Sequence, residues 1–455
     1  MTPSWFTSES QPPYYRGHPV FGAALRFRDN PVELLSSARA ECGPAVKVRL
    51  GYLRTYLFFR PEHVKHILLD NQRNYEKAGY SKLEPLIGNA LLSSEGDTWR
   101  SQRSVVQPAF HRRHVDSMAA TMVNATEQLA DRWYERLSGG PTVVDVETEM
   151  TRLTLTVVSR TLFGYDVGHA ASEVGEALRF VLRYGTDRIG RFFYLPEAVP
   201  TPANRRYRRS IRRLDEIVDD LIANRRMESS PRDDLLSMLL GDLDDRKQGV
   251  SSQRELRDQI MTFLSAGHET TAMALTWALY LLDQNPEKAD ILREELDDAL
   301  NGRPPTPADL RSLPYTEMFL NESLRMYPPV WGLARKALQE DRVGAYHVPK
   351  HSRVIVSPYV THRDPDLWKN PDTFEPERFS AAATGARSPY AFFPFGLGPR
   401  TCVGRNFART EAMITLAILA QRFSFELARD QRVSLEPIFT LKPSNGLKMK
   451  ISRRG

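Results

Sequence analysis

The stretch from Met261 to Leu282, MTFLSAGHETTAMALTWALYLL, runs for 22 residues with one formal charge, Glu269. A run this long and apolar either spans a bilayer or passes as a helix through the interior of a large protein. His268, Glu269, Thr270 and Thr271 cluster at its centre, where lipid would penalise them most. No second span accompanies it, and Pro286 stops the helix soon after. The segment therefore predicts a buried central helix. With its polar lead-in it extends to about 30 residues, or roughly 45 Å. Gly267 costs such a helix about 1 kcal/mol of propensity relative to alanine. One reading is close helix packing, with the threonines bonded back to carbonyls. The other is a widened turn facing a cavity, where Glu269 and Thr270 handle protons and Gly267 leaves room for a small ligand.

The rest of the chain sets the frame. Its 455 residues could make about three domains at roughly 150 residues each, yet no repeat and no long linker divides them. One domain over residues 1–455 is expected, with residues 1–15 flexible. Helical periodicity dominates, as in PVELLSSARAEC and ATEQLADRWYERL. AVKVRL and YLFF read as short strands. Asp244–Gln253 and Ser380–Ser388 read as loops. The fold class is mostly α with a small β region. The two cysteines, Cys42 and Cys402, lie 360 positions apart and make no disulfide framework, which points to a reducing compartment. The N-terminus is polar and proline-rich, without an apolar stretch for a signal or an anchor. The expectation is a cytoplasmic protein with no membrane span. A net charge of +6 favours acidic partners.

GLGPRTCVGRNFA, Gly396 to Ala408, places Cys402 in a glycine-rich loop just ahead of an amphipathic run. A phosphotyrosine-phosphatase loop would need arginine at position 408, which is alanine. A phosphate-cradling loop fails because Arg405 and Asn406 follow Gly404. Structural zinc lacks clustered ligands, the nearest histidine being His362. A buried inert cysteine remains open, but it leaves Gly396, Gly398 and Gly404 unexplained. A sulfur at a helix start is favoured as a thiolate and suits a soft metal.

FGLGPRTCVG, Phe395 to Gly404, matches at every fixed position the haem-binding signature of the cytochrome P450 family. Four further motifs occur in the family's order: WRSQR (Trp99–Arg103), AGHETT (Ala266–Thr271), ESLR (Glu322–Arg325) and PERF (Pro376–Phe379). The chain resembles that family over about residues 12 to 450. The resemblance implies the P450 fold, with haem b (iron protoporphyrin IX) between the long central helix and the helix after Cys402. It implies that Cys402 is the thiolate ligand of the iron, with Phe395 and Gly404 beside it. Thiolate ligation favours O–O cleavage, and this family is the standing example of it. The haem propionates would be met by Trp99, Arg103, Arg400 and Arg335. Glu322, Arg325 and Arg378 would form a buried structural triad. Glu269 and Thr270 would be the acid–alcohol pair of a monooxygenase that uses O2, with His268 pointing away from the iron.

The reaction also needs electrons. No flavin or iron–sulfur domain is expected after Gly455, so a ferredoxin and its reductase, fed by NAD(P)H, are the expected partners of a monomer. Arg100, Arg112, Arg113, Arg405 and Arg409 would receive an acidic carrier. NRRYRRSIRR, Asn204 to Arg213, could bind nucleic acid, but acids follow at once and a solvated helix face is expected. The substrate is expected to be apolar, with Ala266, Val330, Leu333, Phe439 and Thr440 at its cavity. A terpenoid is favoured over a fatty acid, steroid or macrolide. A haem protein that binds without turnover is the rival reading, and the Glu269–Thr270 pair argues against it.

Overall fold

The structure is a computed structural model that describes residues 10–79, 83–166, 171–189, 195–228, 232–245 and 250–454. The central helix runs unbroken from Val250 to Gln284, 35 residues and about 52 Å. It is longer than expected because Val250–Gln253 join its first turn; residues 246–249 lie outside the described set. Asn285 and Pro286 end it and open the next helix, Pro286–Leu300. No widened turn forms at Gly267, and the packing reading holds. A Cβ on Gly267 would stand 3.1 Å from Val158 Cγ2, on the helix Val146–Leu162. Thr270 and Thr271 donate to the carbonyls of Ala266 (2.8 Å) and Gly267 (3.3 Å).

Against this helix pack Val146–Leu162, Pro314–Met326 and Arg405–Arg422, and Arg112–Arg136 packs in turn on the first and last of these. Their apolar faces form one large core that includes Trp133, Trp277, Phe319 and Ile414. The helix Pro31–Cys42 shows how locally such elements are specified: Asn30 caps the Glu33 N–H and Pro31 takes the first helical position. Pro202–Met227 buries Tyr207, Leu214 and Val218 and turns Arg205, Arg208, Arg209 and Arg212 to solvent, as a solvated face should. Ser380–Ser388 holds a short helix, Ala381–Gly385, capped by Ser380.

The β region is small. Its largest sheet has the order Tyr14–Tyr15, Ala45–Leu50, Leu53–Phe58, Arg353–Val356, Leu333–Ala337, Tyr75–Lys77. Ser10 Oγ donates to Ala345 O, so the described part of the N-terminal segment is tied to the body. An antiparallel hairpin, Leu435–Pro437 with Leu441–Pro443, brings its tip, Ile438 to Thr440, against the central helix. Among the described residues no helix is long and apolar enough to cross a membrane.

Glu322 and Arg325 are fully buried and bonded in two prongs, at 2.7 and 2.8 Å. Arg325 also donates to the carbonyls of His362, Pro371 and Thr373. Arg378 Nε stands 3.4 Å from Glu322 Oε1 and completes the triad. The triad clamps the segment that leads into the cysteine loop. Glu322→Ala strands buried cations and should cost about 3–5 kcal/mol. A denaturant titration checks this, and an unchanged midpoint refutes it.

Candidate active site

A cavity of about 1000 Å³ lies between the central helix and the loop before Arg405–Arg422. Thr262, Phe263, Ala266, Gly267, Thr270 and Ala274 form one wall. Phe395, Cys402, Gly404 and Phe407 form the opposite one. The structure thus brings together at one cavity residues far apart in sequence. Trp99, Arg103, Ala266, Thr270, Val330, Leu333, Arg335, Phe439 and Arg400 all line it with Cys402.

The loop that carries the sulfur is held by backbone bonds. Cys402 N–H donates to Phe395 O at 2.9 Å, and Gly396 N–H to Phe393 O at 3.0 Å. Phe393 N–H in turn donates to His362 Nε2 at 3.0 Å. His362 is buried, and burial with the nearby Arg325 keeps it neutral and able to accept. Gly396 and Gly398 have φ of +73° and +69°, a region that favours glycine. A Cβ on Gly398 would meet Leu68 O at 2.1 Å, so this glycine admits another strand of backbone rather than a ligand. Burial pushes the Cys402 thiol up, while the Gly404 N–H, Arg103 and Arg405 pull it down. The Cys402 side chain opens onto the cavity, and the Gly404 N–H with Arg103 and Arg405 are the groups beside it that favour a thiolate.

One corner of the cavity is cationic. Arg400 donates to Ser94 O, pairs with Glu95 and lies 4.0 Å over the Trp99 ring. Arg103 donates to Thr401 O at 3.1 Å. Arg335 faces Lys77 directly across two antiparallel strands. Lys77 had no motif around it and escaped the sequence reading, as did Glu95. Burial, then Arg400, Arg335 and Arg103, hold the Lys77 amine down at about 7, against the pull of Glu95. Like charges opposite one another weaken a sheet, so the corner is built for an anionic guest.

One expected placement is corrected. Thr440 is fully buried and does not line the cavity; Pro437, Ile438 and Phe439 do. Its hydroxyl donates to Glu269 Oε1 at 2.8 Å. Glu269 itself is not among the residues that line the cavity, although Thr270 is. Burial pushes the Glu269 carboxyl up, opposed by Thr440, Lys442 and Arg179. His268 also points elsewhere, with Nδ1 2.6 Å from Leu264 O, while its carbonyl accepts from Thr154 Oγ1.

The cytochrome P450 family model matches residues 12–451. The chain belongs to the cytochrome P450 family. It is 36% identical to cyclooctatin synthase of Streptomyces melanosporofaciens, over 93% of this chain and 92% of the relative. It is 33% identical to pentalenene oxygenase of Streptomyces avermitilis, over 96% of each. The crystal structure of the cytochrome P450DA heme domain aligns with a TM-score of 0.87 and 28% identity, over 98% of both chains. The enzyme is a haem-thiolate monooxygenase that requires O2, a substrate and redox partners. The residues present fit haem: a lone sulfur faces the cavity from one wall, and the cationic corner can receive carboxylates.

The AGHETT turn also makes stability depend on pH. Burial holds the His268 imidazole down at about 4. Between pH 6.5 and about 4 the unfolded chain binds a proton there that the folded one resists, so stability falls as pH falls. The loss amounts to about 3 kcal/mol. A His268→Gln variant should lack this component, and parallel wild-type and variant stability curves over that window would disprove it.

Proposed function

We propose that this P450 inserts one oxygen atom of O2 into a terpenoid, by hydroxylation or epoxidation. The observation that carries the reading is the placement of Thr270 and Cys402 on opposite walls of one largely apolar cavity. The names of the relatives support the substrate class: cyclooctatin synthase, cyclooctat-9-en-7-ol 5-monooxygenase and pentalenene oxygenase. Haem b supplies the activation of dioxygen, and the protein supplies position, protons and exclusion of water. For hydroxylation the balance is R–H + O2 + 2 e⁻ + 2 H⁺ → R–OH + H2O.

Each side chain then has a task. Cys402 Sγ would hold the iron, with the Gly404 N–H directed at the sulfur and the Cys402 N–H bonded to Phe395 O. Arg103, Arg335, Arg400 and Lys77 neutralise the propionates, and Trp99 supports Arg400. Ala266, Val330, Leu333 and Phe439 present the apolar wall to the substrate. Thr270 Oγ1 positions a proton at the cavity, and Glu269 is the acid behind it.

Electrons come from a ferredoxin and its reductase. Arg112, Arg113 and Arg405 are exposed and offer an acidic carrier a positive face, whereas Arg100 and Arg409 are engaged by Asp97 and Glu317. The protein acts as a cytoplasmic monomer of one domain.

The test supplies the holoprotein with NADPH, ferredoxin, ferredoxin reductase, isotopically labelled O2 and a panel of terpene hydrocarbons. A product carrying one labelled oxygen is expected. Thr270→Ala should bind the same terpene yet divert electrons to peroxide. No labelled product from any terpene, or full coupling in Thr270→Ala, overturns the corresponding part of the proposal.

A further inference from the structure

The hairpin tip that carries Thr440 has two faces. Ile438 and Phe439 line the cavity, and the next residue, Thr440, is buried on the far side and bonded to Glu269 at 2.8 Å. Glu269 sits between cavity-lining Gly267 and Thr270 on the central helix, yet it does not line the cavity and its Oε1 accepts from Thr440. Its second oxygen, Oε2, is buried with no hydrogen-bond partner among the described residues. A carboxyl in that state is held in place by one bond.

The tip is anchored at its ends but not at Phe439. Leu441 N–H donates to Pro329 O and Leu441 O accepts from Trp277 Nε1, both at 2.9 Å. Ile438 O accepts from Trp331 Nε1 at 3.1 Å. Phe439, on the cavity face, and Thr440, on the Glu269 side, are thus adjacent residues of a turn fixed on either side.

Charged groups reach Glu269 from three further elements. Lys442 comes from the same hairpin, Arg179 from the helix Ala171–Ile189, and Glu147 from the helix Val146–Leu162. Lys442 Nζ stands 3.5 Å from Glu436 Oε2, and Glu436 Oε1 stands 3.4 Å from Arg183, which is exposed. The latched carboxyl thus faces a charged array that leads outward, while Thr270 faces the reaction.

We propose that Thr440 is a positioning residue for proton delivery: it latches Glu269 away from the cavity, and a substrate bound against Phe439 loosens the latch. The latch ties the acid to the same wall that senses the substrate. The inference rests on the reading of Glu269 as the proton-donating acid, and its test does not need turnover.

The carboxylic-acid infrared band of Glu269 is identified in the ferric holoprotein by its loss in Glu269→Gln, then titrated in wild type, Thr440→Val and Thr440→Ser. The Thr440 hydroxyl stabilises the charged form, so its removal leaves burial less opposed and the acid protonated to higher pH. Thr440→Val is expected to raise the midpoint by ~1 pH unit. Thr440→Ser, which keeps the hydroxyl, is expected to titrate as wild type. A terpene that shifts the haem spin state should move the wild-type band and leave the Thr440→Val band in place. Thr440→Ala replaces the valine variant if that variant does not load haem. Wild-type titration in the hydroxyl-free variant, valine-like behaviour in Thr440→Ser, or a band indifferent to the terpene overturns the latch. Full coupling in Thr270→Ala would instead remove the relay reading while leaving the infrared result standing.

Discussion

Four cationic side chains, Lys77, Arg103, Arg335 and Arg400, gather at one corner of an apolar cavity, where Glu95 provides an opposing carboxylate. Burying cations near one another is costly unless anions join them. The cost is visible in the Lys77 amine, which is held down at about 7. Haem would account for the corner, because its propionates would bring the missing negative charge. The sulfur of Cys402 faces the same cavity. A guest with anionic arms and a soft metal centre satisfies both features at once.

The rest of the architecture keeps that cavity in register. The central helix supplies an unbroken wall because Gly267 lets Val158 approach closely. The Glu322–Arg325–Arg378 triad fixes the segment before the cysteine loop. His362 carries the restraint onward by accepting from Phe393 N–H. Thus a buried charge pair far from the chemistry sets the position of the sulfur. The pairs on the surface, such as Arg100 with Asp97, are solvent-screened and contribute little to this.

Much of the site was legible because it lies in short motifs. The loop around Cys402, the Trp99–Arg103 face and the Glu322–Arg325 pair each depend on spacing of a few residues, which sequence records directly. Thr440 was misread because the alternation of a hairpin tip decides which residue meets the cavity, and a one-residue step reverses it. Lys77 and Glu95 were invisible for another reason: their roles arise from a strand pairing with Arg335 and a contact with Arg400, both formed over hundreds of positions. The role of Gly398 depends on the Leu68 carbonyl, which no local pattern announces.

The central claim is that Cys402 holds the iron as a thiolate, and one spectrum tests it most directly. The dithionite-reduced holoprotein is treated with carbon monoxide, alongside Cys402→His. The wild type should give the strongly red-shifted Soret band of a thiolate–haem–carbonyl complex, and the variant should bind carbon monoxide without that shift. An unshifted band in the correctly folded wild type, or a shifted band that survives in Cys402→His, would contradict the account.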